Sequence, residues 1–368
     1  MKKIHCCKIY KMSTGLCNQL FSLVSAMIIA IKQKKEIIIV DNFSNDYEEQ
    51  NFSNISDIID LCKWNVFLKK NYNIVMVDKN QVTFKINNVK YGAHGKYIDI
   101  IDKIIGKFYN NNTITIDKNV DINLLAEEDP VPFVKKEVVV NYSINDYVVE
   151  ERFEEEYTFL KEAIQFDLSK EEFVYVFHWI NTFDKSLFNI LLKTIPFTDT
   201  FTTLSQNFIT NKNIDLNQKI NVIHLRIEDD AIAHWSAQNR MERSHFQKTL
   251  ELKYISLIQK YIKKDEINVI LSYSTENCVL DYLKQNGYTY HFTDKIMGAG
   301  AGAGREINAL IDLHIGGFCN NIFIGNFNIS GLNGSSLSYY LLNKLSDKKV
   351  KQVLIDLDDI SKKTYTNF

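Results

Sequence analysis

The sequence is short of proline, of charge of one sign, of paired cysteines and of long apolar runs, and each shortage excludes something. Three prolines (Pro130, Pro132, Pro196) among 368 residues exclude a Pro-rich linker. Forty-three basic against 45 acidic residues leave a net charge of −2, so the excess that drives non-specific nucleic-acid binding is missing. The six cysteines (Cys6, Cys7, Cys17, Cys62, Cys278, Cys319) form no CxxC pair and no Cys/His group at zinc spacing. They read as small buried hydrophobes. No stretch is apolar over the roughly 18–20 residues that span a bilayer. The longest early one, Leu20 to Ile31, carries Ser22 and Ser25 and reads as a buried helix. The N-terminus, MKKIHCCKIYK, alternates apolar and polar and has lysine where a secretory signal needs an unbroken apolar core. A reduced, cytoplasmic protein with no transmembrane segment is expected.

What is present suits a folded protein: 45% apolar and 24% charged residues, with 23 Phe, 19 Tyr and 3 Trp to set against chain entropy. At about 100–200 residues per domain, the length suggests two domains or one large α/β domain with insertions. Lys3 to Tyr10 reads as a strand, Ser13-Thr14-Gly15 as a turn, Asn18 to about Gln33 as a helix with almost no polar face, and Glu36 to Val40 as a buried strand. Such a helix followed by a β-branched run implies a parallel sheet covered on both sides.

Residues 78–172 are expected to be a variable insertion on the acceptor side of any active site, with β-branched runs at Thr113–Ile116 and Val138–Val140 and an acidic stretch from Glu150 to Glu156. From Phe173 to Thr210 the pattern turns helical, with Phe183, Leu187, Ile190, Leu191 and Ile195 near helical spacing. The final third alternates. Strands are expected at Ile220–Ile227, Ile267–Tyr273, Tyr288–Phe292, Asn321–Gly325 and Lys351–Asp356, and helices at His245–Lys264, Thr275–Gln285, Arg305–Phe318 and Ser335–Leu345. That order is a doubly wound, Rossmann-like unit. The expected division is 1–210, 211–346, and a C-terminal strand and tail at 347–368. No internal repeat of roughly 20–50 residues is visible.

Ligands in such sheets bind where strand ends meet helix N-termini, and three motifs fall there. In Gly15-Leu16-Cys17-Asn18-Gln19-Leu20, the glycine turns the chain so that free helix N–H groups meet a ligand, and Asn18 caps the helix or bonds a ligand oxygen. A capped turn is the plain alternative. In His224-Leu225-Arg226-Ile227-Glu228-Asp229-Asp230, strand alternation puts His224 and Arg226 on one face. A guanidinium there offers a two-pronged grip on a phosphate or carboxylate. The acids after it supply a candidate base, or else a salt bridge that caps the sheet. The third motif is the Gly298–Gly304 tract (GAGAGAG), equally a loop or a phosphate cradle, with Asp312 among apolar residues of the helix beyond it. A block at Gly334-Ser335-Ser336-Leu337-Ser338 then opens another helix as an anion or ribose site, or as an N-cap.

Taken in order, these residues resemble the GDP-fucose-dependent fucosyltransferase superfamily, the protein O-fucosyltransferases and their α1,2- and α1,6-linking relatives. The resemblance covers about half the chain, roughly 12–42 and 180–342. It implies a GT-B-like α/β fold, two Rossmann-like domains facing a cleft, the first taking the acceptor and the second the nucleotide sugar. It implies that Arg226 neutralises the β-phosphate of the leaving GDP, that His224 contacts the nucleotide, that Asp312 binds guanine, that Ser335 and Ser336 hold the diphosphate, and that Gly15 and Asn18 close over it. Cys17, Glu228 and the residues between Gly325 and Ser335 depart from the family pattern. The family's aspartate aligns with Asp229 or Asp230, so the base stays open among Glu228, Asp229 and Asp230.

The implied chemistry is inverting glycosyl transfer to a hydroxyl of a glycan or protein, with no metal and no cofactor, because an arginine and helix N-termini can take the charge on the leaving phosphate. Alternatives are another nucleotide sugar, a non-catalytic glycan- or nucleotide-binding protein of this fold, and a metal-dependent enzyme using Asp356-Leu357-Asp358, which lies too near the end to precede an acceptor half. No G-x-S-x-G elbow supports a serine hydrolase. His94, between Gly92 and Gly95, is a candidate for facing the acceptor, and Trp235 for stacking on a sugar or for the core.

Overall fold

The computed structural model describes residues 4–9, 15–44, 52–110, 113–166, 174–176, 184–272, 274, 276–293, 305–329 and 333–360. The chain begins with strand β1 (Ile4–Ile9), helix α1 (Leu16–Lys32), strand β2 (Ile37–Val40), helix α2 (Leu61–Tyr72) and strand β3 (Val75–Asp78). An antiparallel section follows, whose main strands are β4 (Phe84–Ala93), β5 (Lys96–Asp99), β6 (Glu137–Ile144) and β7 (Tyr147–Glu156). Strand β8 (Val174–Val176) and helices α3 (Lys185–Thr194) and α4 (Asp199–Asn211) lead out of it. The last third alternates through β9 (Ile220–His224), α5 (Asp229–Gln238), α6 (Arg243–Tyr261), β10 (Ile267–Leu271), α7 (Cys278–Gln285), β11 (Tyr290–Phe292), α8 (Arg305–Gly316), β12 (Ile322–Asn328), α9 (Ser336–Lys344) and β13 (Lys351–Ile355).

Two parallel sheets flanked by helices organise the molecule, which is the expected α/β class with two Rossmann-like units. The first runs β8-β1-β2-β3, with Ile4 opposite Ile37 and Ile37 opposite Val75. The second runs β11-β10-β9-β12-β13, with Val222 opposite both Val269 and Phe323. Each sheet adds its first three strands to one side and then crosses to the other. The topology repeats although the sequence does not. The crossing falls beside β1 in one sheet and beside β9 in the other, where open α/β sheets take ligands.

Strand alternation divides the apolar residues among three cores. Ile38 and Val40 of the first sheet, with Val222, Val269, Leu271 and Phe323 of the second, share one core with α1, α3, α8 and α9. Thirteen of the 17 residues of α1 are buried, because it serves both sheets. Ile37, Ile39, Val75 and Val77 face the other way, against the antiparallel section. Ile223, Ile270, Ile322 and Ile324 pack under α5, α6 and α7.

Some sequence expectations gain detail and others change. The insertion covers the face of the first sheet turned away from the core shared with the second. Its acidic stretch is strand β7, which alternates: Glu151 and Glu155 are buried while Glu150, Arg152, Glu154 and Glu156 are exposed. Part of the stretch expected to be helical is β8, paired parallel with β1. Helix α5 was not expected at all. Of the described cysteines, Cys17 and Cys319 are buried but Cys62 and Cys278 are exposed. The Gly298–Gly304 tract lies outside the described residues. Among the described residues no helix is long and apolar enough to cross a membrane.

Candidate active site

Strand β9 stops at His224, one turn earlier than its apolar pattern suggests, yet the alternation persists beyond it. Leu225 and Ile227 enter the core under α5 to α7, and His224 and Arg226 point to the other side. Arg226 lies where the chain leaves the sheet for α5, with its side chain 21% exposed. Its Nη1 donates to Glu228 at 2.7 Å and its Nη2 to Asp230 at 2.7 Å. The salt bridge named as the plain alternative is therefore formed. A guanidinium carries five N–H groups, and among the described residues the other three have no partner. Burial pulls the Arg226 pKa down, but Glu228 and Asp230 outweigh it and hold the group charged.

The three acids also explain the helix that periodicity did not reveal. Glu228 is the N-cap residue of α5, and Asp229 and Asp230 occupy its first turn, where negative charge meets the positive end of the helix dipole. Asp229 turns outward, 96% exposed, to Arg243 at 2.9 Å. The structure thus places Glu228 and Asp230 at the guanidinium and Asp229 away from it.

Beneath Arg226, His224 is buried. Its Nδ1 lies 2.7 Å from the Ser338 hydroxyl of α9. Ser338 in turn accepts the Asn326 backbone N–H from β12 at 3.1 Å, and the Tyr254 hydroxyl donates to the His224 carbonyl at 2.8 Å. Burial, and then the nearby Arg226 charge, lower the His224 pKa to about 3, so the ring is neutral at ordinary pH. Gly325 makes this knot possible. A Cβ there would lie 2.7 Å from Ser338 Oγ and 2.9 Å from the Phe323 ring.

Asp312, on α8, is half-buried. Burial raises its pKa to about 7, the Thr293 hydrogen bond opposes that, and the charge of Glu228 adds to it. Asp312 therefore feels the charge of Glu228, a carboxylate paired with Arg226. Ser335 is the N-cap residue of α9, and its side chain makes no capping bond. Its N–H donates to Asn326 O at 3.0 Å, and Ser336 opens the helix, half-buried. Gly15 is the N-cap residue of α1, at φ −63° and ψ 163°, a conformation open to any residue, again with no side-chain cap. Asn18 is not the cap. It sits in the first turn, its N–H donating to Gly15 O at 2.9 Å. The first turns of α1 and α9 carry no acid, and the helices meet through Phe21 and Tyr339, edge to face at 5.7 Å. Two helix N-termini whose N-cap residues make no side-chain capping bond, one following a strand of each sheet, thus lie at the strand ends.

Other candidates find structural work. Asp356 and Asp358 each accept a hydrogen bond at 2.9 Å from Asn328 Nδ2, tying β12 to the segment after β13. Trp235 is buried in the core under α5. His94 sits exposed at φ 51° in the β4–β5 hairpin. Sequence reasoning missed Asn326, Ser338, Tyr254 and Thr293 as parts of the cluster. Only Ser338 left a signal, as the third serine of the α9 block.

No protein-family profile matches the chain, and no curated protein matches it. Solved structures do. The chain is similar to a crystal structure of POFUT1 in complex with GDP-fucose, at 10% identity and a TM-score of 0.47, over 96% of this chain and 97% of that one. Against a second crystal form of that complex the similarity spans 49% of this chain and about half, 53%, of the other, at 12% identity and a TM-score of 0.32. It is also similar to the fucosyltransferase NodZ from Bradyrhizobium, at 12% identity and a TM-score of 0.44, over 92% of this chain and 91% of that one. Superpositions this loose leave the chemistry to be argued from the side chains themselves.

Proposed function

We propose that the protein is an inverting, metal-independent glycosyltransferase that moves a sugar from a nucleotide diphosphate donor, GDP-fucose by the order of its motifs, to a hydroxyl of a glycan or protein. One observation carries the reading. At the crossing point between β9 and β12, a partly exposed guanidinium holds two acids and keeps three N–H groups in hand. As the sugar departs, charge gathers on the diphosphate, and each preorganised donor aimed at it contributes a few kcal/mol to the rate. Arg226 meets that negative charge together with the positive N-terminal ends of α9 (Ser335, Ser336) and α1 (Gly15, Asn18). No metal is then required. His224, neutral and buried, sets the start of α9 from beneath, and Asp312 meets the nucleotide base. The acceptor hydroxyl passes its proton to Glu228 or Asp230, the carboxylates that adjoin the guanidinium. The second sheet is the donor half and the first, with its insertion, the acceptor half.

A thermal-shift screen of GDP, UDP, CMP and ADP sugars tests the donor. Stabilisation by GDP and GDP-fucose alone is expected, roughly 2.7 kcal/mol at 100 times Kd. With that donor, turnover should survive EDTA and fall by orders of magnitude in a folded Arg226→Ala protein. Loss in EDTA that Mn²⁺ restores would refute the mechanism. A protein that binds the donor and turns nothing over is the non-catalytic relative instead.

A further inference from the structure

On the insertion, lined by none of the residues at the strand ends just described, lies a hollow of about 510 Å³. Its floor is charged but internally matched. Lys136 and Glu155 are both buried, and Lys136 Nζ lies 3.3 Å from Glu155 and 3.2 Å from Asp129. The Tyr91 hydroxyl donates to the other Glu155 oxygen. The Asn123 side-chain amide lies 2.8 Å from the same hydroxyl, whose one hydrogen is taken by Glu155. Phe133 and Tyr157 also line it. Phe133 is wholly exposed and Tyr157 is 90% exposed.

Those two rings are also held by unusual backbone. Phe133 has φ 63° and Tyr157 φ 66°; they are the only Phe, Tyr or Trp among the non-glycine residues described with positive φ. The left-handed region is unfavourable for bulky side chains, and neither ring repays it with burial. Strain that no packing explains gathers at binding sites. A flat ring presents a partly negative face, suited to the C–H face of a sugar, and the carboxylates and amide beside it suit hydroxyls. Lys136 already has two acids, and the lining holds two cations (Lys135, Lys136) against three anions (Asp129, Glu155, Glu156), so an anionic ligand is disfavoured.

We infer that this hollow is a second carbohydrate site, which binds a neutral oligosaccharide between Phe133 and Tyr157 and is independent of the donor site. The test is a printed array of neutral and sialylated oligosaccharides probed with the whole protein, followed by titration of the best binder. Binding to neutral glycans is expected, weakened at least tenfold by Phe133→Ala and by Tyr157→Ala, and unchanged by Arg226→Ala or by saturating GDP. A silent array, binding restricted to sialylated glycans, or loss with Arg226→Ala but not with the ring variants would overturn it. Phe133→Asn and Tyr157→Asn, whose new residue tolerates positive φ, should leave Tm unchanged or raised. A fall in Tm would assign the rings to packing and overturn the site. Because Arg226→Ala abolishes only the donor chemistry, failure here and failure of the glycosyltransferase reading give different results.

Discussion

A carboxyl group on the inner side of a helix is poorly solvated, and Asp312 carries that burden with a pKa of about 7. In the unfolded chain it would titrate near its ordinary value, about 3.9. Between these values the folded state holds a proton that the unfolded state gives up, so stability is lost as pH rises from about 4 to about 7. The loss above pH 7 is about 4 kcal/mol at most. Asp312→Asn removes it. The variant should melt higher than the parent at pH 8, and the gap should close towards pH 4, as read by thermal melts across that range. His224 works in the opposite sense. Its pKa is lowered to about 3, so it withdraws stability as pH falls from about 6.5. Arg226 shows how two residue-scale readings can both hold, since two of its N–H groups bind acids and three remain.

At the scale of elements, β12 and α9 meet through a single missing side chain. Gly325→Ala would drive a methyl into Ser338 Oγ and the Phe323 ring, an overpacking that costs about 1–3 kcal/mol. It should also part Ser338 from His224. Urea unfolding should show the lower midpoint, and donor affinity should fall with it. Much at this scale was legible beforehand. The strands and helices of the last third follow from β-branched runs, caps and helical spacing, and Arg226 was visible at a strand end. Helix α5 was hidden because its start is chosen by three acids and not by an apolar stripe. Ser338 and Tyr254 were hidden because they reach His224 across long stretches of sequence, 114 and 30 positions, and Asn326 because it joins the knot through Ser338. The antiparallel section could be seen as strands, but which face of the first sheet it covers is decided by where Ile37 and Ile39 point.

For the whole molecule, the decisive feature is the apolar core that runs from Ile38 and Val40 of one sheet through α1, α3, α8 and α9 to Val222 and Val269 of the other. Large chains usually lose their parts in stages. Here the two parallel sheets should unfold together, with tryptophan fluorescence and far-UV circular dichroism tracing one curve in denaturant. Two separated curves would mean that the shared core contributes little. The same continuity bears on what can be made in pieces. Cut between α4 and β9, either fragment would carry an oily flank meant for its counterpart: made alone it should collect in inclusion bodies, and made together the fragments should find each other and stay in solution.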